Sequence, residues 1–298
     1  MCSPEDAHDS QDANLKKLLD WDDRRPQHMK LEFCPARTFD ELQQAYALVY
    51  ANYVSRGYCA PHPSQMRFSL HNALPQALTF VGKIRGAVTA TVSLLPDSPL
   101  GLPLDRIYRE QVEPLRQQGR RLAEVALLSD RRDVDSGERL AIPLLRLFKL
   151  VFDYCRHLRV DDLLVTCSAT RHEGYYARFL AFERFGPHVP LDTVNGQLTT
   201  LLRLDMHRVD DVQCHSSLVK GFFLENPVPA EFFSQRFRHN EVTLRRLFAE
   251  LRPLLQEATP GQIEYLSSCY PAIDIPALVA GPVAELAYSM SGAEPGWA

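Results

Sequence analysis

One carboxylate stands apart from its surroundings in this chain of 298 residues. The run Leu122 to Leu128 reads as a mostly apolar strand, and its one charged residue is Glu124. Taking a carboxylate out of water without a partner is costly, so its place in such a strand calls for a reason. One reason is chemistry: a desolvated carboxylate is a general base, able to take a proton from a nucleophile such as an attacking amine. Strands of half-buried sheets alternate faces, however, so Glu124 could equally point to water or pair with Arg120 or Arg121. Cys167, in the apolar strand Leu163 to Ser168, is another group with nucleophilic potential. Its setting favours a buried, inert thiol, because free cysteine packs as a small apolar residue.

The elements that must position Glu124 can be read from periodicity and caps. Residues 1–28 are polar and form a leader, and a first strand is expected over Met29 to Cys34. Thr38 with Glu41 three residues later is a capping box, and Leu42, Ala45, Tyr46, Val49 and Tyr53 make one helical stripe that Gly57 can end. Leu78 to Ile84 and Ala87 to Leu95, joined by Arg85-Gly86, predict a hairpin. A short amphipathic segment with Ile107, Val112 and Leu115 precedes the strand of Glu124. A helix over Leu140 to Leu158, a strand over Asp162 to Ser168, a helix over Tyr175 to Phe185 ending at Gly186, and a strand over Leu198 to Leu204 follow. Alternating strands and helices predict a mixed α/β sheet with helices on its flanks, filling residues 29–210. From 211 to 298 a mainly helical extension is expected, rich in phenylalanine (Phe222, Phe223, Phe232, Phe233, Phe237). It includes a helix over Glu241 to Glu257 with Leu244, Leu247, Phe248 and Leu251 on one stripe, either packed as an appendage or serving as a wall for a long apolar ligand.

Composition narrows the classes. With 45% hydrophobic and 23% charged residues the chain can bury a core. A formal net charge of −4 lacks the electrostatic footprint of a nucleic-acid binder, so no nucleic-acid partner is expected. No apolar run approaches the roughly 18 residues of a membrane span. The acidic start, Met1 to Asn14, does not resemble a signal peptide, which predicts a cytoplasmic location. Seven scattered cysteines without a C-x-x-C spacing predict neither a disulfide framework nor a metal site.

A group of short motifs gives the chain a family resemblance. They are Val54-Ser55-Arg56-Gly57-Tyr58 and Arg67 ahead of Leu74-Pro75, then Thr91-Val92-Ser93-Leu94 before Asp97-Ser98. Gly101-Leu102-Pro103-Leu104-Asp105, Leu115-Arg116 and Gly119-Arg120-Arg121-Leu122-Ala123-Glu124-Val125 complete the set. With the order of elements, these resemble the GNAT acyltransferase fold, and within it the long-chain N-acyl amino acid synthases of the FeeM type, relatives of the acyl-homoserine lactone synthases. The resemblance spans roughly residues 30 to 205.

What the resemblance implies is transfer of a long-chain acyl group from a thioester on acyl carrier protein to the amine of an amino acid. No cofactor is expected to be bound, since the donor brings its own phosphopantetheine. Glu124 stands at the family position of the base. The fold implies that the strands of Leu127 and Ser168 splay apart, so that unpaired backbone groups hold the pantetheine arm and polarise the thioester carbonyl. Thr91 and Ser93 fall in the motif expected to line the substrate. Tyr175 or Tyr176 is a candidate acid, an optional one because a thiolate leaves readily. The acceptor's carboxylate needs a cation, for which Arg67 is first and Arg56 second choice.

Two features bear on the donor. Users of coenzyme A in this fold bind pyrophosphate on a glycine-rich turn after the central strand, but Ser129 to Arg139 holds one glycine, Gly137, which favours a carrier protein. Acyl carrier proteins are acidic, so a basic docking face is expected. Arg139, Arg146, Lys149 and Arg156 share one helical face beside Arg131 and Arg132, interrupted by Asp153. Ala90 stands where a glycine is expected before Thr91. The competing readings are a synthase of acyl-homoserine lactones that uses S-adenosylmethionine, and a catalytically silent GNAT-like module that binds an acylated carrier or lipid.

Overall fold

The computed structural model describes residues 31–131, 141–169, 172–191, 196–209 and 227–280. The expected leader, Phe222, Phe223, Arg132 and Arg139 lie outside the described residues. The chain divides into two compact units, the first ending at His239 and the second beginning at Asn240, later than the boundary expected at residue 211.

The first unit is built on one sheet. β1 (Glu32–Pro35) leads to α1 (Phe39–Ser55), whose start is the expected capping box: Thr38 Oγ1 accepts the Glu41 N–H at 3.1 Å and Glu41 Oε2 accepts the Thr38 N–H at 3.2 Å. Gly57 follows at φ 68°, a left-handed value that glycine adopts without strain. A single 3₁₀ turn, Leu70–Ala73, precedes β2 (Leu78–Ile84) and β3 (Ala87–Pro96). Arg85 and Gly86 both have positive φ, the geometry of a tight hairpin turn that matches the strands' twist. Then come α2 (Asp105–Gln117), β4 (Leu122–Asp130), α3 (Ala141–Leu158), β5 (Asp162–Ser168) and α4 (Glu173–Leu180). β6 (Glu183–Arg184), β7 (Val189–Leu191), β8 (Gln197–Asp205) and the short helices α5 (Met206–Val209) and α6 (Ala230–Ser234) complete it.

The sheet order is β1-β2-β3-β4-β5-β8-β6, with β7 also on β8; β4 and β5 are parallel and the other pairs antiparallel. This is the mixed α/β sheet flanked by helices that the GNAT-like reading expects. Its two faces differ. Phe80, Val92, Leu94, Ala123, Val125, Leu163 and Val165 form the core with Phe148, Val151 and Cys155 of α3. On the other face Leu122, Leu164 and Leu201 pack against Leu104, Tyr108, Val112 and Leu115 of the α2 region. Glu124, two residues from Leu122, belongs to this second face.

Some expected elements differ. The helix expected to run to Phe185 stops at Leu180, where Ala181 turns left-handed and the Phe182 N–H closes on the Tyr176 carbonyl at 3.2 Å. Glu183 and Arg184 then pair with Arg203 and Leu202, so the open edge of β8 wins over helical periodicity. Phe233, expected in the extension, is buried in the first unit between Phe80 and Tyr154.

The second unit starts with α7 (Glu241–Arg245), capped by Asn240 and continuing as a π-helical stretch, Arg246–Leu251. The helix expected to reach Glu257 ends there because Arg252 precedes Pro253 and is extended, φ −136° and ψ 118°. α8 (Pro260–Cys269) begins on a Thr259 cap with proline in its first turn, and α9 (Ile275–Ala280) follows.

Tyr108 anchors α2 to the far side of the sheet. Its buried hydroxyl lies 3.0 Å from the Pro187 carbonyl and 3.1 Å from that of Thr199. Tyr108→Phe leaves the buried Thr199 carbonyl and the part-buried Pro187 carbonyl without this donor and is expected to lower stability by about 1–3 kcal/mol in denaturant unfolding. An unchanged midpoint would mean that these carbonyls find other partners.

Candidate active site

The β4–β5 ladder runs from Leu122 and Asp162 to Val125 and Val165 and ends there. Beyond it β4 continues to Asp130 on β3, and β5 continues to Ser168 on β8. The two parallel strands therefore separate. Ala126, Leu127 and Leu128, at the opening, are half-buried while the strand on either side is buried. The same place carries a β-bulge: Ser93 pairs with Ala126 but Thr91 with Ser129, so β4 spends one residue more than β3, and Leu127 takes φ 54°. A non-glycine residue in that region costs about 1–2 kcal/mol, which the pairing on β3 must offset.

Glu124 sits one residue before the last paired position. It is 4% exposed, with Leu95 of β3 and Leu164 of β5 as register neighbours. Its Oε2 accepts the Leu104 N–H at 2.9 Å, just ahead of α2. Among the described residues no cation pairs with it. Arg120 binds Asp162 and Asp205 instead, and the Arg121 N–H goes to Asp161 at 2.7 Å, so neither expected pairing forms. Burial pushes the Glu124 carboxyl up to about 8; the Leu104 amide acts against this and the charge of Asp105 adds to it. A base titrating there is partly ionised near neutral pH and strong enough to deprotonate an ammonium.

The other candidates are distributed over the same face and the opening. α1 lies on the face of Glu124: Asn52 Nδ2 bonds the Ser129 hydroxyl and, at 2.8 Å, the Asp130 carbonyl. At its C-terminal end Arg67 stacks over Tyr53, 4.4 Å from the ring centroid, and Tyr58 meets Tyr53 edge-on at 5.7 Å. Arg56, the cap of α1, adds its charge beside Tyr53, so the two candidate cations gather on one aromatic group. Ser168 and Leu127 lie on the two diverging strand ends.

Other candidates are committed to structure. The Thr91 hydroxyl donates to the Phe80 carbonyl at 3.1 Å, and the Ser93 and Thr79 hydroxyls bond each other at 2.8 Å. The Tyr176 ring is buried edge-on against Phe148 and Phe182, and the Tyr175 side chain lies outside the described residues. On the expected docking helix Lys149 is tied to the buried Asp153 at 2.8 Å, so it is not presented to a partner. Arg131 is exposed and Arg146 half-buried. Burial holds the Cys167 thiol up at about 12, as its inert reading expects. Sequence reasoning missed the Leu104 amide and the ionic cluster of Asp97, Asp105 and Arg116. All three charged residues stand within the family-like motifs, yet their spacing does not reveal that they meet.

Residues 44–205 match the model of the family "N-acyl amino acid synthase FeeM". Among solved structures, FeeM, an N-acyl amino acid synthase from uncultured soil microbes, is 23% identical, with 60% of this chain and 93% of that one covered and a TM-score of 0.52. The acyl-homoserine lactone synthase LasI is 16% identical over 61% and 91%, TM-score 0.45. An N-acetyltransferase from Staphylococcus aureus Mu50 is 12% identical over 59% and 98%, TM-score 0.39. A search of curated proteins finds no match. The fold is shared with FeeM, and the family match covers more than half of the chain. The chain belongs to the FeeM family of N-acyl amino acid synthases.

Proposed function

We propose that this chain transfers a long-chain acyl group from the phosphopantetheine thioester of acyl carrier protein to the amine of an amino acid, with Glu124 as base. The observation that carries this reading is the desolvated Glu124 carboxylate one residue from the point where β4 and β5 part. The acceptor enters as an ammonium, gives a proton to Glu124, and the free amine attacks the thioester carbonyl carbon. The C–N bond forms and the C–S bond breaks, the second proton of the attacking nitrogen passes to the departing pantetheine sulfur, and Glu124 returns its proton to solvent; the products are an amide and the free carrier thiol. The backbone of Leu127, in neither the β3 nor the β5 register, is the group available to polarise the carbonyl. Arg67, with Arg56 beside it, would hold the acceptor's carboxylate. The scarcity of glycine in Ser129 to Arg139 supports a carrier-protein donor over coenzyme A.

Three outcomes are expected. Purified protein given matched acyl chains on the two carriers and a panel of amino acids yields an N-acyl amino acid by mass spectrometry, faster from carrier protein; faster turnover with coenzyme A would reverse the donor assignment. Glu124→Gln keeps the acceptor for the Leu104 amide but removes the base, and turnover drops by roughly 10²–10⁴. Activity near that of the parent would exclude Glu124 as base.

The third outcome concerns stability against pH. The folded carboxyl titrates at about 8, above its ordinary 4.5, so the folded state holds this proton more tightly than the unfolded state. Its contribution to stability is fully present below pH 4.5 and is lost as pH rises towards 8, by up to about 1.4 kcal/mol per pH unit. Glu124→Gln lacks that loss. In parallel thermal scans the variant is expected to gain on the parent steadily between pH 5 and 8; parallel curves would show that the carboxylate is not desolvated.

A further inference from the structure

The loop that carries the Leu104 amide to Glu124 is closed by one side chain. Arg116 of α2 places Nε on Asp97 Oδ2 at 2.6 Å and Nη2 on Asp97 Oδ1 at 3.0 Å, and the same Nη2 reaches Asp105 Oδ2 at 2.7 Å. Asp97 begins the loop, with its N–H on the Leu122 carbonyl at 2.9 Å, and Asp105 ends it as the first residue of α2. Asp105 Oδ2 also accepts the Leu102 N–H at 2.9 Å. Gly101 turns between them at φ +72°, and a Cβ there would stand 2.5 Å from Asp105 Oδ2, so the loop is wound closely on that carboxylate. Only a planar, forked cation serves two carboxylates in this way.

The charges around Glu124 make the clamp more than a loop tie. β3 and β5 offer it Leu95 and Leu164, and α2 brings Asp105, whose buried Oδ1 has no partner among the described residues. From the Leu70–Ala73 turn comes His71, near Asp97 and Asp105, with its pKa held below the ordinary value by burial and hence neutral near pH 7. Arg116 is therefore the cation that answers both Asp97 and Asp105.

We propose that Arg116 is a positioning residue for Glu124: by clamping Asp97 to Asp105 it holds the Leu104 amide on the carboxylate and offsets part of the Asp105 charge that bears on it. The catalytic part of this inference rests on Glu124 being the base, so the test reads Glu124 itself as well as turnover. The readouts are the Glu124 carboxyl infrared band, isolated as the difference between each protein and its Glu124→Gln counterpart, and kcat against pH. In Arg116→Gln the titration midpoint of Glu124 moves up by about one pH unit as Asp105 goes unopposed, and adding Asp105→Asn returns it to or below the parent's value. Arg116→Lys keeps the charge without the fork; its midpoint stays near the parent's while kcat falls about tenfold. A merely structural arginine would lower the melting temperature and leave the midpoint where it was, which overturns the proposal. If Arg116→Gln does not fold, a parent-like kcat in Arg116→Lys overturns it instead. If the midpoint moves as expected but kcat ignores it, Arg116 does position Glu124 and the base assignment is what fails.

Discussion

A charged group held in an apolar strand with a backbone amide as its hydrogen-bond donor is something a protein must be built around. Ionised Glu124 opposes folding, because the few dipoles near it replace little of the water it loses. The remainder of the first unit supplies the opposing free energy. One face of the sheet packs a continuous apolar core against α3, and the other closes over α2, so the strand bearing Glu124 is fixed from both sides before the carboxylate is accommodated. An isolated hairpin could not hold it.

The surroundings are cross-tied in the same way. Tyr108 ties α2 to carbonyls across the sheet, Arg116 ties the loop before α2 to its own helix, and Asn52 ties α1 to the end of β4. The Tyr108 and Asn52 contacts span elements distant in sequence, and the Arg116 contacts close the loop that carries the Leu104 amide to Glu124. A base has to lie within hydrogen-bonding reach of the proton it takes, and errors of an ångström are expensive in rate. These ties limit such errors.

Much of the fold was legible in local chemistry. The Thr38–Glu41 box, the Arg85-Gly86 turn and the strand from Asp162 to Ser168 follow from short-range rules and form as expected. Glu124 was legible because an acid in an apolar strand breaks a pattern. What could not be read depends on meetings between distant residues. Phe182 to Phe185 keep helical spacing, but the free edge of β8 draws Glu183 and Arg184 into the sheet. Lys149 looked like surface charge, but Asp153 four residues on is buried and claims it. Arg120 looked like a partner for Glu124, but Asp162, on the neighbouring strand, takes it. The stop at Arg252 was written in Pro253, and the run of leucines obscured it.

The bulge at Leu127 also changes how β4 counts. In a regular strand, residues an odd number apart face opposite sides, yet Glu124 and Ser129 share a side, because the extra residue inserts half a pleat between them. β4 is thus two strands joined out of phase, one addressed to the carboxylate's neighbours and one to α1. A single continuous backbone thereby supplies a buried acid and a helix anchor on the same surface without a loop between them. Alternation of apolar and polar residues, followed straight through the join, assigns every later side chain to the wrong side.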